Sequence, residues 1–252
     1  MATRDEIVRH LDSRLDIAAI DDFSHNGLQV QGAEEVRRIG LTTDAAMAVY
    51  RRAEQEKCEM IVAHHGIIWG GGITSITGRD YNHIKFLLDH ELSLYAAHLP
   101  LDLHPELGNN AELCRMLDVQ ERRPFGKYHG IDIGFGGVLA SAPTPFELAA
   151  LFQRQIGGEP LILPFGPKRI RTVGIVSGGG SSALPEAIEA NLDCFVTGEG
   201  KHEDHHLVLE SNINMICLGH YHSETVGVKA VGEELARRFD VEVVFIDEPT
   251  LL

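Results

Sequence analysis

Three apolar segments of the sequence end in side chains that commonly bind metal ions. Residues 60–63, 92–97 and 214–218 are followed closely by His64 and His65, by His98 and Asp102, and by His220, His222 and Glu224. In open α/β sheets, ligands bind beyond the carboxyl ends of the strands, and neutral imidazole is the commonest metal ligand in proteins. A single histidine pair carries little weight, but three independent segments together predict a metal site.

The donor atoms indicate which metals and how many. They are imidazole nitrogens and carboxylate oxygens without thiolate, a set that suits divalent Zn, Fe, Mn, Co or Ni. A catalytic Zn site typically has three protein ligands, so this larger set suits two ions that share a bridging carboxylate. Such a pair can activate water for attack on an ester, an amide or a ring carbon.

Spacing adds detail at two of these segments. His220 and Glu224 are four residues apart at the predicted start of a helix, which places them on one face. His98 and Asp102 have the same spacing, but Pro100 lies between them, so we expect that segment to be a loop.

The composition is that of a globular chain with a strong acidic balance. Of the 252 residues, 44% are hydrophobic and 23% are charged, and the formal net charge is −15. This length suits one large domain or two small ones. The negative surface disfavours nucleic acid as a partner, although it is compatible with a local pocket for a small anion.

The cysteines and the apolar runs predict a cytoplasmic protein without a membrane partner. Cys58, Cys114, Cys194 and Cys217 are scattered and lie in or beside apolar segments, so we expect buried free thiols. No apolar run approaches the roughly 18 residues that a membrane span requires. The N-terminal residues also lack the apolar core of a secretion signal.

Strands and helices alternate along the chain, which predicts an α/β fold with mainly parallel sheets covered by helices. Capping boxes at residues 3–6 and 144–147 begin two of the helices. Pro105 is expected in the first turn of another helix, which runs to Leu117. Residues 16–32 are expected to form a loop.

The amino-acid composition changes near Pro124-Phe125-Gly126, where a glycine-rich segment begins. We therefore predict two interleaved α/β domains with the metal site between them. Residues 1–125 and 225–252 form the first, and residues 126–224 form the second.

Other polar groups admit more than one interpretation. The loop at residues 177–182 follows a strand and precedes a helix, so it could hold an anion or be a tight turn. Glu199 and His206 are weaker candidates for contact with the metal ligands or the substrate, since a solvated helix face explains His206 equally well. Trp69, the single tryptophan, could stack on a base, although a core or interface position is the simpler interpretation.

Several segments resemble one known family. They are His64-His65-Gly66-Ile67-Ile68-Trp69, His98-Leu99-Pro100-Leu101-Asp102-Leu103-His104-Pro105 with Gly108-Asn109-Asn110, Thr197-Gly198-Glu199, Gly219-His220 with Glu224, and Asn26-Gly27-Leu28-Gln29-Val30. Together they resemble the Nif-three-like dinuclear metal-centre family, the GTP cyclohydrolase 1 type 2 homologues, in its short form without the inserted central domain. The motifs span nearly the whole chain in the expected order.

The resemblance implies two divalent ions per subunit and a toroidal homohexamer. By motif, His64 and Asp102 bind one ion, His65 and His220 bind the other, and Glu224 bridges them. His98 lies close by, either in contact with a ligand or as a proton shuttle. Members of the family often have a second histidine directly after the one at position 220. Here Tyr221 takes that place and His222 follows, so either could reach the substrate.

The function expected from this resemblance is hydrolysis of GTP with ring opening and formate release. Alternatives are a phosphoesterase or amidohydrolase acting on another small anionic molecule, and a non-enzymatic metal-binding hexameric regulator. Because consecutive strand residues point to opposite sides, we also expect His64 and His65 to face apart, each toward its own ion.

Overall fold

The computed structural model describes residues 2–250 and confirms the α/β class. The chain forms two compact units: one contains the residues up to Leu101 together with Val228–Glu248, and the other contains Asp102–Gly227. Within residues 2–250, no helix combines the length and the apolar character needed to cross a membrane.

Helices and strands alternate through both units. The helices are α1 (Arg4–Arg14), α2 (Met47–Gln55), α3 (Gly78–Asp89), α4 (Leu99–Leu103), α5 (Asn109–Met116), α6 (Pro145–Ile156), α7 (Leu184–Glu189), α8 (Asp204–Glu210) and α9 (His220–Phe239). The strands are β1 (Ala2–Thr3), β2 (Gly27–Val30), β3 (Glu35–Val36), β4 (Arg38–Asp44), β5 (Met60–His65), β6 (Ser93–Ala96), β7 (Val119–Tyr128), β8 (Ile131–Leu139), β9 (Leu161–Pro164), β10 (Thr172–Val176), β11 (Cys194–Thr197), β12 (Asn214–Cys217) and β13 (Glu242–Phe245).

The first unit is built on a sheet with the strand order β13-β4-β5-β6-β2. Neighbouring strands run parallel except for β2, which is antiparallel to β6. Ile61 and Ala63 share one apolar cluster with residues of α2 and α3. On β6, the Tyr95 hydroxyl donates to Asp12 of α1 at 2.9 Å. Helices therefore pack against this sheet and hold the ends of β5 and β6 in place.

The second unit is built on a sheet with the strand order β7-β8-β10-β11-β12-β9. Its parallel centre is β10, β11 and β12. Along β11, Cys194 and Val196 belong to one apolar cluster and Phe195 belongs to another, as the two-residue period of a strand requires. The first cluster includes residues of α5 and α6, and the second includes residues of α7. Helices therefore cover both faces.

Local sequence signals for helix starts and for thiols are confirmed. Thr3 and Thr144 each accept a hydrogen bond from the backbone three residues on, and both capping boxes are complete. The four cysteines are free and buried. Burial raises the pKa of Cys58, Cys114 and Cys217 to about 12.

The prediction for residues 98–117 is wrong in two places. The segment expected as a loop contains helix α4, because Pro100 lies in its first turn, where a missing N–H costs little. The helix expected from Pro105 begins only at Asn109. His104 Nδ1 accepts from the backbone N–H groups of Glu106 and Leu107 at 3.2 and 3.0 Å, which forms a turn between the two helices.

Several strands were not predicted from the sequence, among them the two-residue β1. Strand β2 lies within the region expected to be a loop, and β7 and β9 were not anticipated. Most side chains of β7 are exposed and no apolar alternation marks it. Because β7 pairs along its length with β8, it joins the second sheet.

The units differ in their bounds from the expected domains. The expected boundary at residue 125 lies inside β7, whereas the structure divides the chain after Leu101. The cause is packing, because Leu113 and Cys114 of α5 belong to an apolar cluster of the second sheet.

Candidate metal centre

Three histidines of the first unit come together at the carboxyl ends of two adjacent strands. His64 and His65 end β5, and His98 lies just beyond β6. One nitrogen from each ring can be chosen so that all three lie within 4.8 Å of one another. We call His64, His65 and His98 the histidine cluster. This spacing is short enough for a metal ion to be bound there.

The expectation that His64 and His65 face apart is wrong. Their ring centroids are only 4.6 Å apart, and the His98 ring is 5.2 Å from that of His64 and 5.6 Å from that of His65. The two-residue period separates side chains within a strand, but these residues end the strand and both rings turn toward His98.

Hydrogen bonds at Nδ1 fix the rings of the histidine cluster. His64 Nδ1 lies 2.9 Å from the carbonyl oxygen of Ala97. A carbonyl can only accept, so this nitrogen carries the proton and Nε2 carries the lone pair. His65 Nδ1 lies 2.8 Å from Oδ1 of Asp44. This arrangement, with Nδ1 held by an oxygen and Nε2 presented, is typical of metal-binding histidines.

His98 is oriented by the loop that precedes β2. Its Nδ1 lies 3.0 Å from Oδ1 of Asp22, and its backbone N–H donates to Oδ1 of Asn26 at 2.7 Å. Asn26 Nδ2 donates to the same aspartate at 2.8 Å. Burial alone raises the pKa of Asp22, but the hydrogen bonds from His98 and Asn26 outweigh it and lower that pKa to about 2. Asp22 therefore stays ionised at neutral pH and keeps the proton of His98 on Nδ1.

A second group of donor side chains lies in the second unit. Asp102 lies in the last turn of α4, while His220 and Glu224 occupy the first turns of α9. One carboxylate oxygen of Asp102 lies within 4.8 Å of one of Glu224, and His220 Nε2 is 3.2 Å from Oε2 of Glu224. We call these three residues the carboxylate cluster.

Asp102 is buried and held by neutral donors. Its Oδ1 accepts from Asn109 Nδ2 at 2.9 Å and from the Ser177 hydroxyl at 3.0 Å. Asn109 Oδ1 in turn accepts from the backbone N–H of Gly227 at 2.8 Å. Asn109 and Ser177 thus fix the position of this carboxylate within the second unit.

His220 lies between two carboxylates. Its Nδ1 is hydrogen bonded to Glu199, and its Nε2 faces Glu224. The hydrogen bond with Glu224, followed by that with Glu199, raises the pKa of His220 to about 10 against the opposing effect of burial. The two acidic neighbours therefore favour positive charge at this position.

The glycine-rich loop at residues 177–182 packs directly against the carboxylate cluster. Gly178 has φ +59°, and a Cβ there would overlap Oε1 of Glu224. The N–H groups of Ser177 and Gly178 donate to Asn110 and Ser223 at 2.7 and 3.0 Å. Because these N–H groups donate to acceptors within the protein, the start of the loop is explained as a tight turn and not as an anion-binding site.

The remaining candidates are placed differently. Tyr221 is buried, with 2% of its surface exposed. His222 contacts the turn at Gly157 and Gly158. His206 is exposed on α8, as the solvated-face interpretation has it. Glu199 contacts a predicted ligand, His220.

Sequence reasoning missed several residues that hold the two clusters. Asp44 had a detectable signal, since it ends β4, next to β5, and pairs in register with His65. Asp22 had none of comparable strength, because tertiary hydrogen bonds alone bring it to His98. Asn109 lies in one of the motifs and Ser177 in the glycine-rich loop, but neither pattern predicted their hydrogen bonds to Asp102.

Comparison with known proteins assigns the chain to a family. The family model Duf34/NIF3 (NGG1p interacting factor 3) matches residues 2–250. A protein of Archaeoglobus fulgidus named GTP cyclohydrolase 1 type 2 homolog is 46% identical, over 98% of each chain.

Two solved structures agree in fold. TTHA1606 from Thermus thermophilus superposes with a TM-score of 0.90 at 39% identity, over 99% of this chain and all of the other. The protein ybgI superposes with a TM-score of 0.91 at 33% identity, over 98% of this chain and 99% of the other. The resemblance read from the motifs is thereby confirmed, and the chain belongs to the Duf34/NIF3 family.

Proposed function

We propose that this protein is a dinuclear-metal-dependent hydrolase that opens the imidazole ring of GTP and releases formate. The observation that carries the proposal is the histidine cluster, in which three rings converge and oxygen atoms hold each Nδ1. The choice of GTP follows the name of relatives such as the Archaeoglobus fulgidus protein.

The residues present fit a pair of divalent ions. In the proposal His64 and Asp102 bind one ion, His65 and His220 bind the other, and Glu224 bridges them. Imidazole and carboxylate donors suit Zn, Fe, Mn, Co or Ni. Such a pair, when bound, supplies an activated water and neutralises charge that develops during hydrolysis.

His98 is the proposed proton carrier. Its side chain is 23% exposed, whereas that of Asp22 is 2% exposed, so the imidazole reaches solvent and the carboxylate does not. With Nδ1 protonated toward Asp22, Nε2 is the nitrogen that accepts a proton from an attacking water. His98 then returns that proton to the ring nitrogen that leaves.

The proposed reaction consumes two waters. The first adds to the imidazole carbon of guanine and opens the ring, which leaves a formyl group on the nitrogen. The second hydrolyses that formamide, and the carbon leaves as formate. The triphosphate is untouched, so release of formate without release of phosphate distinguishes this reaction from phosphoester hydrolysis.

Formate release by the purified protein, loaded in turn with each of the five metals, tests the proposal. We expect formate from GTP with at least one metal, and loss of turnover and of bound metal in Asp102→Asn and Glu224→Gln. Glu210→Gln, at the far end of exposed helix α8, is the matched control. The absence of formate in every metal state with both positions filled would refute the activity. Phosphate release instead would indicate a phosphoesterase.

The homohexamer implied by the family resemblance is part of the same proposal. Native mass spectrometry of the metal-loaded protein checks it, with six copies as the expected result.

A further inference from the structure

Two loops of the first unit are joined beside the histidine cluster. Gly70 N–H donates to the carbonyl of Phe23 at 2.7 Å, and His25 N–H donates to that of Ile68 at 3.1 Å. Ser24 and Trp69 form an antiparallel bridge between them. The loop before β2 and the loop after β5 therefore behave as one small folded element.

The side chain of Gln29 locks this element. Its Oε1 accepts from the N–H groups of Ile67 and Ile68 at 2.7 and 3.1 Å, and its Nε2 donates to the carbonyl of His25 at 2.7 Å. One side chain thus satisfies backbone groups of both loops. The loop after β5 is held in this way although it contains three consecutive glycines.

The joined loops present two aromatic rings. Phe23 is 70% exposed, and its ring centroid lies 6.5 Å from that of Trp69 at an interplanar angle of 37°. Trp69 Nε1 donates to the carbonyl of Gly66 at 2.9 Å, which fixes the indole. The Phe23 ring lies over Gly70, where a Cβ would collide with it. Both rings are positioned by the backbone rather than by a hydrophobic core.

This aromatic pair lies next to the histidine cluster. The Trp69 ring centroid is 5.1 Å from that of His98 and 5.9 Å from that of His65. A molecule that stacks on the indole would therefore have its reacting atoms beside the proposed proton carrier.

We propose that Phe23 and Trp69 form a stacking platform for the planar heteroaromatic ring of the substrate, such as a purine base. This rests on the proposed function, because it takes the histidine cluster to be the reacting site. Base–aromatic stacking tolerates any base, since every base has a π-face. The acidic chain, with a net charge of −15, favours a single nucleoside or nucleotide over a polymer.

The single tryptophan makes the platform directly observable, because Trp69 is its own fluorescent reporter. The metal-loaded protein is titrated with guanosine and adenosine, and in parallel with ribose 5-phosphate and inorganic triphosphate. We expect the nucleosides to quench the emission and the two base-free compounds to leave it unchanged. Equal quenching by ribose 5-phosphate, or no quenching by either nucleoside, would overturn the platform.

Substitution of the partner ring completes the test. Phe23→Leu should weaken nucleoside binding by about tenfold, a loss within the range measured for base–aromatic stacking, while Phe23→Tyr should retain it. Phe146→Leu, which removes an equally exposed ring (60%) from α6, should bind as the parent does. If Phe23→Leu changes the oligomeric state but leaves nucleoside affinity intact, the ring serves contact between copies and the proposal fails.

The outcomes for the platform and for the activity can be told apart. Nucleoside-dependent quenching without formate release would support the platform and refute the GTP reaction. Formate release without such quenching would support the GTP reaction and refute the platform.

Discussion

Asp44 Oδ1 lies 2.8 Å from His65 Nδ1, and the two residues are paired in register at the ends of adjacent parallel strands. The pairing of β4 with β5 thus places a carboxylate at Nδ1 of His65, which leaves Nε2 as the nitrogen that can bind a metal ion. His98 with Asp22 and His220 with Glu199 show the same pairing at Nδ1. Both units use one device, an acidic residue that orients an imidazole.

Replacement of Asp44 by asparagine should lower metal affinity by about 10–100-fold, the range found when such outer partners of metal-binding histidines are lost. The side chain remains similar in shape, but its charge no longer favours the protonated Nδ1. Competition with a chromogenic chelator measures the change in affinity.

The matched control for that variant is Asp89→Asn. Asp89 is an exposed helix residue that pairs with Lys85, and its loss should leave metal affinity unchanged. Equal affinities for Asp44→Asn and the parent would show that the pairing with His65 has no bearing on metal binding.

His64→Ala and His65→Ala should empty different metal positions, according to the proposed assignment of one histidine to each ion. Anomalous scattering from crystals of the two variants would count and locate the ions that remain. Loss of the same ion in both would contradict the assignment. The close approach of the two rings makes this the most demanding test of the ligand scheme.

The ionised Asp22 carboxylate should stabilise the folded protein, and this contribution should be lost in acid. Its pKa is lowered from 3.8 to about 2 in the folded protein, so its contribution is fully present above pH ~4 and is lost as the pH falls toward ~2. The shift corresponds to about 2 kcal/mol for this buried carboxylate.

Urea unfolding of the parent and of Asp22→Asn, across a pH series, isolates that contribution. The two free energies of unfolding should differ by about 2 kcal/mol near neutral pH and converge near pH ~2. A difference that does not depend on pH would mean that the amide disturbs packing and that the charge of Asp22 contributes nothing.

Thr144→Ala should destabilise the protein by about 1 kcal/mol, because the threonine closes the capping box at the start of α6. Thermal unfolding measures the loss. Ser141→Ala, in the exposed turn just before this helix, should unfold with the parent, and equal loss in both variants would exclude a specific capping effect.

Strand ends were the most informative part of the sequence for the candidate site. Apolar runs followed by histidine located the ends of β5 and β6 and brought His64, His65 and His98 into one group. This works because parallel strands end at the same edge of a sheet. The same reasoning applied to β4 would have found Asp44.

Residues held only by tertiary contacts were beyond reach of such patterns. Asp22 lies in a segment that looks like a loop, and its role depends on hydrogen bonds to a residue 76 positions away. The relative direction of His64 and His65 was mispredicted for a related reason. Strand periodicity describes Cβ directions inside a strand, whereas at the end of β5 the hydrogen bonds of Nδ1 to Ala97 and Asp44 fix the two rings.

The burial of the four thiols has a practical and a chemical consequence. With their pKa values raised far above neutral pH by burial, Cys58, Cys114, Cys194 and Cys217 carry almost no thiolate. A maleimide dye or a nitroxide would therefore attach selectively to a cysteine introduced on the surface, with no native thiol removed. Peroxide generated near a redox-active metal would likewise find little thiolate to oxidise.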